Sequence, residues 1–137
     1  MDHYVMDAGG LIAYLRKESG YDLVQTRLEM AQQGQEVIWM HVVNLCEVYY
    51  DVYRRGGKGM ADQLLRDVYR LPIRFIQTIS RSLLQEAGRL KANGGISLAD
   101  AFAVALANLN NAKLITADHH ELDIVETRGD GRFYWFR

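Results

Sequence analysis

Short apolar runs separated by longer stretches of helical periodicity constrain this chain more than any other feature. Residues 3–6, 36–40, 73–76, 113–116 and 133–136 read as strands. Between them lie helical patterns: from Leu11, over 21–33, from 41–44 onward, over 60–70, over 80–91 and from Ser97 to Leu109. A strand that returns parallel to its neighbour needs a crossover, which a helix supplies, and the resulting sheet must be covered on both faces. The expected class is therefore α/β, one α/β/α sandwich over residues 1–137 with a mostly parallel sheet of four to five strands.

Punctuation agrees with this order. Ala8-Gly9-Gly10 is a tight turn into the first helix, and Gly34 ends the second. The third helix buries Leu45, Val48, Tyr49 and Val52 and carries Asn44, Glu47, Asp51 and Arg54 on its other stripe. Gly56-Gly57-Lys58-Gly59 reads as a loop that breaks it, wrongly spaced for a phosphate-binding P-loop. Pro72, the only proline, begins the third strand, where a missing N–H costs little. Ser97 follows Gly94-Gly95 and starts a helix, with Asp100 in the reciprocal position of a capping box. Leu98, Ala101, Phe102, Ala105, Leu106 and Leu109 form that helix's core face.

Four acids then gather at one edge of the sheet. Asp7 closes the first strand, Glu47 lies one turn into the helix after the second, Asp118 ends the strand at 113–116, and Asp100 opens the preceding helix. Ligands of open parallel sheets bind outside the carboxyl ends of the strands, which is where these residues fall. Taken singly, Asp100 would cap a helix, Asp7 and Asp118 would serve turns, and Glu47 would be solvated or paired with Arg54. Together they repel one another, and a divalent cation resolves the conflict. Oxygen-only ligands favour Mg²⁺ or Mn²⁺ over zinc, and the chemistry suited to such a site is hydrolysis of a phosphodiester. Thr116 is placed to orient Asp118. His119 and His120 read as surface loop residues, and Asp123 as an exposed turn residue.

Charge and composition narrow the partners. A formal charge of −1 and a pI near 6.4 argue against bulk adhesion to nucleic acid. Locally, Arg54, Arg55, Lys58, Arg66, Arg70 and Arg74 face only Asp62 and Asp67, six bases against two acids, a stretch suited to a phosphodiester backbone. The single cysteine, Cys46, cannot form an internal disulfide and is expected to be buried. No apolar run is long enough to span a bilayer, and Met1-Asp2-His3-Tyr4 lacks the features of a secretory signal, so a cytoplasmic location is expected.

With Val5-Met6-Asp7-Ala8, Asn44-Leu45-Cys46-Glu47-Val48-Tyr49, Ser97-Leu98-Ala99-Asp100-Ala101 and Leu114-Ile115-Thr116-Ala117-Asp118 in this order, the sequence resembles a PIN domain. Within that family it is similar to the VapC toxins of prokaryotic toxin–antitoxin pairs. The resemblance implies an Mg²⁺- or Mn²⁺-dependent endoribonuclease, frequent homodimers, and a small antitoxin protein that covers the acidic groove. It assigns the metal-site acids to Asp7, Glu47, Asp100 and Asp118, and Asn44 falls at a position the family often makes polar. Two departures stand out: Gly9 where a serine or threonine is usual, which removes a hydroxyl that would support Asp7, and His41 where a small hydroxyl residue commonly starts the third helix, at the rim of the groove. Arg54, Arg55 and Lys58 are the expected RNA contacts, and Tyr49, Tyr50, Tyr53 and Tyr69 could line a dimer face. The alternatives are a catalytically weak PIN-fold module that holds RNA or a partner, and a phosphatase or DNase using the same acids.

Overall fold

A computed structural model describes residues Met1–Arg137 and contains five strands and six helices. In chain order these are β1 (Asp2–Met6), α1 (Ala8–Arg16), α2 (Tyr21–Gln32), β2 (Glu36–His41), α3 (Val42–Val68), β3 (Arg74–Ile76), α4 (Arg81–Ala92), α5 (Leu98–Leu109), β4 (Lys113–Thr116), α6 (His119–Thr127) and β5 (Phe133–Trp135). The strands form one sheet in the order β3-β2-β1-β4-β5, parallel throughout. β1 is central, with Tyr4 opposite Ile38 on one side and Val5 opposite Leu114 on the other. No helix is long and apolar enough to cross a membrane.

Strand alternation divides the core in two. Val5 and Leu114 point to the layer of α4, α5 and α6, where Leu83, Leu90, Val104, Leu106, Leu122 and Val125 are buried. Tyr4, Met6 and Ile115 point to the layer of α1, α2 and α3, where Leu11, Val24, Leu28, Leu45, Val48 and Phe136 are buried. This is the α/β/α sandwich expected from the strand–helix alternation, with an all-parallel sheet of five strands. Beside β1, Arg27 contacts the rings of Tyr4 and Tyr134 and pairs with Glu36 at 2.5 Å.

Several local expectations are corrected. The helix break expected at Gly56–Gly59 is present but narrower than a loop: within α3 only Gly57 leaves helical geometry (φ 84°, ψ −178°), and two helical segments meet there at a kink. Glycine takes that left-handed φ without steric cost, and helical hydrogen bonding resumes beyond it. Residues 119–127 are α6 rather than a loop, so His119, His120 and Asp123 are helical. β3 begins at Arg74, two residues after Pro72. At the ends of α5, Leu98 and Leu109 are exposed, and the buried set is Ala101, Ala103, Val104, Ala105, Leu106 and Ala107. Cys46 is exposed, because it lies on the outer side of α3 between the buried Leu45 and the pocket-facing Glu47.

Candidate active site

Parallel strands deliver their carboxyl ends to one edge, and three helices begin there. Asp7 ends β1 and is the N-cap of α1, its Oδ1 accepting from Gly10 N–H at 2.6 Å. Asp118 follows β4 and is the N-cap of α6, its Oδ1 accepting from Glu121 N–H at 3.1 Å. Asp100 stands in the first turn of α5, its N–H donating to Ser97 Oγ at 3.2 Å. The positive ends of three helix dipoles therefore meet where negative charge is densest, which offsets part of the repulsion.

These residues line one cavity of about 430 Å³, with Ala8, Gly9, Glu47, Ser97, Ala117, Glu121, Phe136 and Arg137 completing the wall. Asp7, Glu47, Asp100 and Asp118, which the sequence places at one sheet edge, thus share a pocket. One carboxylate oxygen each from Asp100, Asp118 and Glu121 lies within 4.8 Å of the others. The donor set is oxygen only, and its size and charge fit a hard divalent cation.

Glu121 is the acid the sequence reading did not single out. The signal was present: Asp118-His119-His120-Glu121 is an acid at an N-cap followed three residues later by glutamate, the signature of a helix start. Nor does Asp100 complete the expected capping box at Ser97. Ser97 N–H donates to Glu121 Oε1 at 3.1 Å instead.

Buried polar side chains hold the acids in place. Thr116 is fully buried; its Oγ1 accepts from Asp118 N–H at 3.1 Å, and its hydroxyl is among the groups that lower the Asp7 carboxyl against the effect of burial. Asn44, also fully buried, donates through Nδ2 to Ala99 O at 3.1 Å and to Glu47 Oε1 at 3.5 Å, tying α3 to the start of α5. Its Oδ1 has no partner. Glu47 is thus held by Asn44, not paired with Arg54.

His41 is a correction. It is buried rather than at the groove rim: Nδ1 accepts from Val43 N–H at 3.1 Å and caps α3, so Nε2 carries the proton and donates to Thr78 O at 2.9 Å. The imidazole does the capping a hydroxyl would otherwise do. His119 does not line the pocket; it is held between Asp123 and Arg137 O and stacks on Trp135, with ring centroids 3.9 Å apart.

The basic stretch runs along the second half of α3 and on to Arg74 at the start of β3, outside the pocket lining. Arg55 pairs with Asp51 and Lys58 with Asp62, while Arg54 sits over the Tyr50 ring at 4.8 Å. Tyr50, Tyr53 and Tyr69 are exposed, whereas Tyr49 is partly buried and donates to Asp62 at 2.8 Å.

Burial raises the Asp7 carboxyl to about 6, against hydrogen bonds from Thr116 and Gly10 that lower it, with Asp118 and Glu47 adding to the rise. Burial likewise raises Glu47 and Asp100, and Glu121 raises Asp100 further. Glu121 moves the other way, held down chiefly by its hydrogen bond with Asp100. A raised carboxyl contributes stability at low pH that is lost as pH rises through its folded value, a window that for Asp7 runs from 3.8 to about 6. Glu121 has the opposite sign, its contribution being lost as pH falls. With three raised groups against one lowered, the Tm of metal-free protein is expected to fall as pH rises from about 4 through about 6, the window Asp7 sets, and divalent cation to flatten the fall. Melts in EDTA and in Mn²⁺ check this; a Tm independent of pH in EDTA contradicts it.

Gly9 offers a second check. A Cβ built there would lie 3.5 Å from Asp7 Oδ1, an ordinary contact, so a serine fits and brings a hydroxyl to the carboxylate. Gly9→Ser is expected to bind Mn²⁺ several-fold more tightly by calorimetry, as outer partners of metal-site carboxylates do when restored. Unchanged affinity would show that Thr116 and Gly10 already suffice.

Comparison with known proteins places this pocket in context. The family model described as PIN domain matches residues 4–126. No curated protein matches the sequence. Among solved structures, VapBC2 from Rickettsia felis bound to a DNA fragment from their promoter is similar at TM-score 0.72 and 19% identity, covering 96% of this chain and 97% of that one. DNA-bound VapBC from Salmonella typhimurium gives TM-score 0.73 and 12% identity over 100% of both chains. The sarcin–ricin loop cleaving toxin VapC20 of Mycobacterium tuberculosis gives TM-score 0.59 and 13% identity over 80% of this chain and 85% of that one.

Proposed function

This chain belongs to the PIN domain family, and on that premise we propose that it is a Mg²⁺- or Mn²⁺-dependent endoribonuclease, the toxin of a prokaryotic toxin–antitoxin pair. The observation that carries the reading is the meeting of Asp7, Glu47, Asp100 and Asp118 in one cavity at the carboxyl edge of the sheet. Asp7, Asp100 and Asp118, with Glu47, would hold the cation. When bound, such a cation screens phosphate charge and activates water for attack on phosphorus.

The protein's own part is placement. Thr116 holds the backbone of Asp118, Gly10 N–H holds the Asp7 carboxylate, and Asn44 keeps Glu47 facing the pocket, where it can accept a proton from an attacking water. Arg54, Arg55 and Lys58 would carry the flanking RNA backbone along α3. Arg54 is the one not paired with a carboxylate, and Tyr50 beneath it offers a ring to an unpaired base. A cognate antitoxin covering the groove follows from the same reading, supported by the VapBC structures among the similar ones; a homodimer and a cytoplasmic location are further expectations of that reading. The test is cleavage of a panel of structured RNAs, with matched DNA, in Mg²⁺, Mn²⁺ or EDTA. Metal-dependent cutting of RNA alone is expected. Equal cutting of DNA would move the activity to a general nuclease, and RNA binding without cutting would reduce the protein to a binding module.

A further inference from the structure

Helices α5 and α6 both begin with the sequence of a capping box, and both wire it across elements. In an ordinary box the N-cap side chain accepts from the N–H three residues on, and that residue's acid reaches back to the N-cap N–H. The first half is present in each helix: Asp100 N–H to Ser97 Oγ at 3.2 Å, and Glu121 N–H to Asp118 Oδ1 at 3.1 Å. The second half is missing from both. Asp118 N–H is satisfied from β4 by Thr116 Oγ1 at 3.1 Å, so Glu121 has no donor to serve in its own helix. Glu121 Oε1 reaches instead to Ser97 N–H at 3.1 Å, so Asp100 has none in its own helix either.

The effect passes along the chain of acids. Thr116 releases Glu121, Glu121 releases Asp100, and Asp100 is left with its carboxylate in the acidic cavity. The same loop is gripped twice more, by Arg128 on Gly94 O at 3.2 Å and by Lys91 on Ile96 O at 2.7 Å, so neighbouring elements fix the approach to α5 while Ser97 Oγ caps its first turn.

We propose that Glu121 is a positioning residue: by taking the Ser97 N–H it keeps the Asp100 carboxylate out of its own helix cap and in the pocket. Without Glu121 that N–H needs an acceptor, and Asp100, three residues on in the standard geometry, is the nearest acid able to supply one. The consequence for a cation rests on the functional reading above; the exchange of caps does not.

Two measurements separate the two. The first uses thermal melts of metal-free protein and needs neither metal nor RNA. Asp100→Ala is expected to raise the Tm of the wild-type chain, because it removes a crowded anion, and to lower the Tm of the Glu121→Ala chain, because there Asp100 has become the cap. Any gain in Tm from Asp100→Ala in the Glu121→Ala background overturns the proposal. The second is Mn²⁺ calorimetry. Glu121→Ala is expected to weaken binding about 10-fold or more, in the range for lost outer partners. Glu121→Gln, which keeps the acceptor and loses the charge, is expected to recover most of that. Gln binding as weakly as Ala overturns positioning in favour of a direct role for the charge. If wild type binds no Mn²⁺, the metal reading fails while the melts still decide the cap exchange.

Discussion

Asp100→Asn is expected to lower RNA cleavage on the order of 10³-fold or more while raising the Tm of the metal-free protein. The two effects share one cause. Asp100 is a desolvated carboxyl pressed against Glu121, with Asp7 and Asp118 adding like charge, and all of these hold its pKa well above the ordinary range. At neutral pH its ionised form therefore costs folding free energy in the absence of a cation, and asparagine of the same shape removes that cost. The same charge is what a divalent ion needs, so the substitution also weakens Mn²⁺ binding. Paired assays of cleavage, Mn²⁺ affinity and thermal melting read the outcome. Loss of activity accompanied by loss of stability would mean that Asp100 serves the scaffold, and retained activity would end the assignment of this pocket as the nuclease centre.

Gly20→Ala is expected to destabilise the protein by about 3 kcal/mol or more, a Tm drop of roughly 10 °C. Gly20 is the N-cap of α2 with φ +85°, and a Cβ there would run into the backbone carbonyl of Phe136. The tail cannot yield cheaply. Phe136 is buried in the core and donates its N–H to Thr116 O at 3.1 Å, and burial of a phenylalanine side chain is worth about 1.5–3 kcal/mol. Displacing it also disturbs Thr116, which holds the backbone of Asp118, and the pocket wall that Phe136 itself forms, so Mn²⁺ affinity is expected to fall with stability. Gly34→Ala is the control: its φ is +75°, but nothing lies within 4 Å of a Cβ there. Only the left-handed backbone is then penalised, about 1 kcal/mol. Equal losses at both positions would show that the Phe136 contact carries no special weight.

The parallel sheet and the four acids were legible in the sequence because each rests on a local signal. The strands carry short buried runs such as Tyr4-Val5-Met6 in β1 and Leu114-Ile115-Thr116 in β4, and the acids stand at turns beside them. What was not legible depends on tertiary company. α6 buries only Leu122 and Val125, too few for periodicity to register, and Glu121 was missed with it. The Gly56–Gly59 run marks the interruption of α3 correctly, but its loop composition overstates the length, since Gly57 alone leaves helical geometry. The capping box of Ser97 and Asp100 was correct as a helix start and wrong as a hydrogen-bond assignment, since the competing acceptor is 24 residues away. His41 shows the reverse case: a residue that departs from the usual type still caps α3 from inside the core.

The strand order has a consequence for how the protein comes into being. β1, made first, lies between β2 and β4, and Met6 finds its partner only when Ile115 has been synthesised. A nascent chain still lacking residues 113–121 holds Asp7 and Glu47 with no Asp118 or Glu121 to meet them. The acidic pocket is therefore absent throughout most of translation and closes late, when the last crossover docks onto the first strand. The nascent chain therefore carries no assembled acidic pocket until residues 113–121 are free to dock beside β1.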